Sequence, residues 1–98
     1  MTIKQLQKEA HKTAKEKGFW NGDRNDGELI ALMHSELSEA LEALRQTDER
    51  KNNIGEELAD CVIRICDYCG ARSIDLEKEI IKKIEKNKKR PYKHGKKF

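Results

Sequence analysis

The sequence predicts an all-α fold, an antiparallel four-helix bundle that assembles into an oligomer. Three observations carry this. Leu, Ile and Ala recur at steps of three and four in four separate segments, and no segment alternates with the period of a strand. A single Pro and 5% aromatic residues leave little material for an all-β core. The connections between the periodic segments are short, which favours antiparallel neighbours. At 98 residues the chain fits one domain, read here as a helical domain over 1–90 and a basic tail over 91–98.

The first helix is expected over about Thr2–Lys17, with Ile3, Leu6, Ala10 and Ala14 on one face and Gly18 as its stop. Phe19 to Gly27 is rich in Gly, Asn and Asp and reads as a loop. The second helix follows over about Glu28–Arg45, with Asp26 as N-cap. Polar residues Gln46–Asn53 connect it to the third, about Ile54–Cys69, which Gly70 is expected to end. Ser73 or Asp75 then caps the fourth, about Leu76–Lys89, and Pro91 closes it.

Composition excludes some functions. No apolar run approaches the roughly 18 residues of a membrane span, and Met1-Thr2-Ile3-Lys4-Gln5 opens no apolar signal stretch, so a cytoplasmic protein is expected. The net charge of +3 hides a polarity: residues 1–70 carry 10 basic and 14 acidic side chains, residues 71–98 carry 11 and 4. Three cysteines, Cys61, Cys66 and Cys69, fall on one helix, the first and last on its apolar stripe and Cys66 at its edge. An odd count there reads as core thiols and not as a disulfide or iron–sulfur framework. His11, His34 and His94 have no ligand-like spacing and read as surface or satisfied polar residues.

The carboxylates fall where carboxylates are costly. At 100° per residue, Leu29, Met33, Leu37, Ala40, Ala43 and Leu44 form the stripe of the second helix; Glu36 lands inside it and Glu39 on its shoulder. On the third helix Leu58, Cys61, Val62, Ile65, Tyr68 and Cys69 form the stripe, with Glu57 and Asp60 on one shoulder. The two pairs match in spacing and phase. Buried carboxylates are normally paired or bound to a cation, and four together favour a divalent ion. All-oxygen ligands select Mg²⁺, Mn²⁺ or Ca²⁺ over zinc. The plainer reading is a solvated face, with Arg64 neutralising Asp60 and Glu57. Lys83, Asn87 and Arg90 share a face of the fourth helix, with Ile80 and Ile84 anchoring it to the bundle. Together they suit phosphate oxygens, although basic residues at a helix C-terminus also answer the dipole.

Glu36-Leu-Ser-Glu39, a gap of 17 residues and Glu57-Leu-Ala-Asp60 resemble the hallmark of the MazG-like nucleotide pyrophosphohydrolases, of the all-α NTP pyrophosphatase superfamily. The ending Lys83…Asn87-Lys-Lys-Arg90-Pro-Tyr is similar to the tail of small members. The resemblance implies hydrolysis of a nucleoside triphosphate between its α and β phosphates, releasing a monophosphate and pyrophosphate, in nucleotide-pool cleaning. It implies that Glu36, Glu39, Glu57 and Asp60 carry Mg²⁺, with Mn²⁺ as a substitute, and form the catalytic set. It implies that Lys83, Asn87 and Arg90 contact phosphates. Trp20 either stacks on a base or plugs one end of the bundle.

Ile63 and Ala59 lie opposite the main stripe of the third helix, and a helix apolar on two sides is buried on two sides. In so short a chain the second neighbour is expected to be another subunit, giving a homodimer; the resemblance adds a tetramer as the alternative, with a pocket drawn from two chains. The rival function is a non-enzymatic helical module binding nucleic acid through Lys86–Lys97, which leaves the phase-matched acids unexplained and sets them against a polyanion. A second rival is a degenerate relative acting only in interactions; the presence of all four acids argues against it.

Overall fold

Local signals start each helix where the side chain of the preceding residue can satisfy a free backbone N–H. The computed structural model describes residues 1–98 and contains α1 (Ile3–Glu16), α2 (Asp26–Arg45), α3 (Ile54–Ala71) and α4 (Leu76–Lys88), with no strand. Thr2 caps α1 through a capping box with Gln5: Thr2 Oγ1 accepts from Gln5 N at 3.1 Å and Thr2 N donates to Gln5 Oε1 at 2.7 Å. Asn25, one residue before the expected Asp26, caps α2 by accepting from Glu28 N at 3.1 Å. Asp26 is instead the first helical residue, where its charge meets the positive end of the dipole. Asn53 caps α3, and Asp75, not Ser73, caps α4. Gly18, at φ 86°, takes the left-handed conformation expected just beyond α1.

The end of α3 differs from the expectation. Gly70 lies inside the helix, which continues to Ala71, and Ser73 at φ 56° makes the left-handed turn. Gly70 is small for a packing reason: a Cβ there would sit 2.7 Å from His11 Cβ on α1. The α2–α3 connection carries a 3₁₀ turn at Glu49–Lys51, and the basic tail turns over Tyr92–Gly95 with Lys93 and His94 left-handed at φ 54° and 53°.

α3 is the central helix, packed against α1 on one side and α2 on the other. Cys61 Sγ reaches Met33 O of α2 at 3.7 Å, and the three cysteines are free and buried, as expected of core thiols. α4 packs mainly on α1. Gln7 clamps the α3–α4 turn, donating from Nε2 to Ile74 O at 2.7 Å and accepting from Leu76 N at 3.4 Å. Beyond its first turns α4 is loosely held. Ile80 is half-buried, but Ile84 is 48% exposed and does not anchor the helix as expected.

One chain therefore does not close its own core. Its radius of gyration is 16.1 Å, against about 13 Å for a compact chain of this length. The buried arc of α2 is Leu29, Glu36, Ala40 and Ala43, while Leu37 and Leu44, expected in the stripe, are exposed together with Leu41. On α3, Leu58 and Val62 are likewise exposed, and Cys66, placed by the sequence at the stripe's edge, is the most buried side chain. Ile63 borders a groove that Leu6 and Ala10 of α1 also line, but it is 45% exposed and Ala59 is exposed too, so the second apolar side of α3 is left largely open by its own chain.

Candidate active site

α2 and α3 pack against each other, and acids spaced i,i+3 on each helix meet across that contact. One carboxylate oxygen each from Glu36, Glu39 and Glu57 lies within 4.8 Å of the others, with Glu36 buried, Glu57 half-buried and Glu39 exposed. Asp60, one turn after Glu57, stands outside this triad and lines the adjoining groove, close enough for its charge to act on Glu57.

The electrostatics follow from that proximity. Hydrogen bonding with Glu39 favours the protonated form of Glu57 and raises its pKa. Desolvation pushes the same way, as do the charges of Glu39, Asp60 and Glu36. Such a bond needs one proton on the pair. With both groups ionised, Glu57 Oε2 is buried without a donor. An orphaned carboxylate oxygen inside an all-oxygen cluster fits a hard divalent cation in chemistry and in charge. Zinc, which prefers nitrogen and sulfur, does not suit this donor set.

Arg64 is not paired as the sequence suggested. It forms no ion pair with Asp60 or Glu57; its Nε donates instead to Glu36 Oε1 on α2, at 2.7 Å. Beside it opens a groove of about 550 Å³ between α1, the α1–α2 loop and α3. Glu36, Asp60 and Arg64 line it together with Trp20, Arg24 and Tyr68.

Trp20 is held by a network the sequence did not reveal. Asp67 Oδ1 accepts from Trp20 Nε1 at 2.8 Å and pairs with His11 Nδ1 at 2.9 Å. The His11 ring meets the indole edge-on at 5.6 Å, and the guanidiniums of Arg24 and Arg72 lie 5.7 and 5.6 Å from its centroid. His11 is thus a satisfied polar residue, as expected. A signal for Asp67 existed, because Asp60, Arg64 and Asp67 step by four and three along one face of α3.

The basic trio lies elsewhere. Lys83 is exposed and Asn87 and Arg90 are half-buried on α4, and no hydrogen bond or ion pair joins any of them to the acids. None lines the groove beside the acids. Asn87 Oδ1 is buried with no donor.

The family model of the MazG nucleotide pyrophosphohydrolase domain matches residues 24–94, which takes in α2, α3, α4 and both acidic pairs and leaves out α1 and Trp20. No curated protein and no solved structure is a significant match.

Proposed function

Because the chain belongs to the MazG nucleotide pyrophosphohydrolase domain family, we propose that it hydrolyses a nucleoside triphosphate between the α and β phosphates. The products are a nucleoside monophosphate and pyrophosphate, and the reaction depends on Mg²⁺, with Mn²⁺ able to substitute. The observation that carries this reading is the triad of Glu36, Glu39 and Glu57, with its orphaned Glu57 oxygen, whose Glu36 together with Asp60 lines a groove large enough for a nucleoside.

Glu36, Glu39 and Glu57 would hold the cation and Asp60 completes the set from the groove side. When bound, Mg²⁺ supplies charge neutralisation of the phosphates and polarisation of a phosphoryl oxygen. The protein's own contribution is placement. The α2–α3 contact fixes the two acidic pairs, and a cation there would offset the crowding of carboxylates that raises the Glu57 pKa. Asp67, itself paired with His11, holds the indole of Trp20 by its N–H, leaving Trp20 to border the nucleoside end of the groove. Lys83, Asn87 and Arg90 contact phosphates, and they do so from a second copy of the chain, since within one chain they stand apart from the acids. The exposed Leu37, Leu41, Leu44, Leu58 and Val62 are the surface that this copy covers.

A panel of common and modified nucleoside triphosphates with Mg²⁺, assayed separately for pyrophosphate and orthophosphate, tests the reading. Pyrophosphate release that falls on the order of 100-fold or more in Glu57→Gln is the expected result. Absence of turnover with any nucleotide, accompanied by salt-sensitive nucleic-acid binding, would sink it.

A further inference from the structure

Among the basic residues that line the groove, Arg64 is the one paired with Glu36, and it lies on the same helix as Glu57 and Asp60. Its guanidinium is used at one corner. Nε donates to Glu36 Oε1 at 2.7 Å, and neither Nη group donates to any protein acceptor. Glu36 is 8% exposed in all and its side chain 10%, so this end of the bond is buried; the Arg64 side chain is 38% exposed, so its other end reaches solvent in the groove. Guanidinium has five N–H donors in a rigid plane, and anchoring Nε orients the Nη donors without using them. An arginine kept only to neutralise Glu36 gains most from a bidentate fork on both carboxylate oxygens. Here the single Nε bond leaves Glu36 Oε2 for another ligand and leaves the Nη donors unused on a partly exposed side chain that lines the groove.

We propose that Arg64 is a substrate-contacting residue of this chain, binding triphosphate oxygens through its Nη groups while Nε holds Glu36 in place. The assignment rests on the nucleoside triphosphate reading above and adds an anion contact from the subunit that also carries the acids. One planar group then ties a metal-ligating carboxylate to the phosphates, so an error in either position is felt by the other. Lysine cannot replace it, because a single ammonium offers no second edge.

The test is equilibrium binding, measured by calorimetry with Mg²⁺ present, of non-hydrolysable α,β-imido nucleoside triphosphates and of inorganic tripolyphosphate, against nucleoside monophosphates. Arg64→Gln is expected to weaken the triphosphate and tripolyphosphate ligands on the order of 10- to 100-fold, as befits hydrogen bonds to a charged group. Monophosphate affinity should change less than about threefold, a distinction that a merely structural role would not make. Arg64→Lys should recover only part of the loss. In the unaltered protein, the Arg64 Nη protons should become visible by NMR on adding Mg²⁺ and tripolyphosphate, which keeps the test open if Arg64→Gln does not fold. Equal affinity in both variants, a uniform loss across all ligands, or unchanged Nη signals overturns the assignment. Failure of the unaltered protein to bind any triphosphate overturns the functional reading itself, a different outcome.

Discussion

Cys66 is 1% exposed, although its wheel position put it at the edge of the apolar stripe. The reason lies in α3 being covered from both sides, so that a residue between two contact faces is enclosed by both helices. Burial pushes the Cys66 thiol up, and burial followed by the nearby Cys66 does the same to Cys69. Both stay protonated and inert at neutral pH. A thiol whose folded pKa is raised contributes stability that is full below the unfolded thiol value near 9.0 and is lost as pH rises through the folded value. The expected outcome is a fall in stability above about pH 9 that is smaller in Cys66→Ala, measured by urea unfolding across pH. Alkylation of the native protein at pH 8 should likewise be slow and should follow global opening. Fast labelling of Cys66 would contradict its burial.

Gly70 and Gly55 are both helical glycines of α3, and they predict opposite responses to Ala. Gly55 has nothing within 4 Å of a built Cβ, so Gly55→Ala should stabilise by up to about 1 kcal/mol through helix propensity. At Gly70 the same Cβ meets His11 Cβ at 2.7 Å and Cγ at 3.1 Å, and neither atom is a free side-chain end. Gly70→Ala should therefore destabilise by about 1–2 kcal/mol despite the propensity gain. Because His11 pairs with Asp67, which in turn holds Trp20, the damage should also appear as an altered Trp20 fluorescence. Thermal unfolding and emission spectra of the two variants check this; equal behaviour would refute the α1–α3 contact. Helix type and approximate extent were legible because capping and i,i+3/i,i+4 spacing are local. Gly70 was misread as a stop because its reason is a neighbour 59 positions away in the chain.

For the whole molecule, the open shape and the exposed aliphatic surface make one expectation. Leu37, Leu41 and Leu44 are 48%, 57% and 59% exposed on α2, and a stable dimer needs about 800 Å² of such surface per partner. Leu41→Glu should shift the protein toward monomer in analytical ultracentrifugation and lower its melting temperature, with the unaltered protein melting in a concentration-dependent way. A monomeric unaltered protein, insensitive to Leu41→Glu, would leave the copy-to-copy reading without support. The oligomer was expected from Ile63 and Ala59, which are exposed, and the open surface extends beyond them to α2 and to Leu58 and Val62 of α3.

Local pattern carried the helical class and brought Glu36, Glu39 and Glu57 to attention, because periodicity and i,i+3 spacing act within a turn or two of chain. Three features had no such local origin. The rotation of α2 that buries Glu36 and exposes Leu37 depends on where α3 sits. The partner of Arg64 is Glu36, 28 residues away, where sequence spacing favoured Asp60. α4 packs mainly on α1, and its basic face neither pairs with the acids nor lines their groove. Each is a choice among neighbours of similar chemistry, and only packing in three dimensions makes such a choice. The charge polarity of the chain is plain in its composition; whether its two halves meet is decided by how helices, and copies, pack.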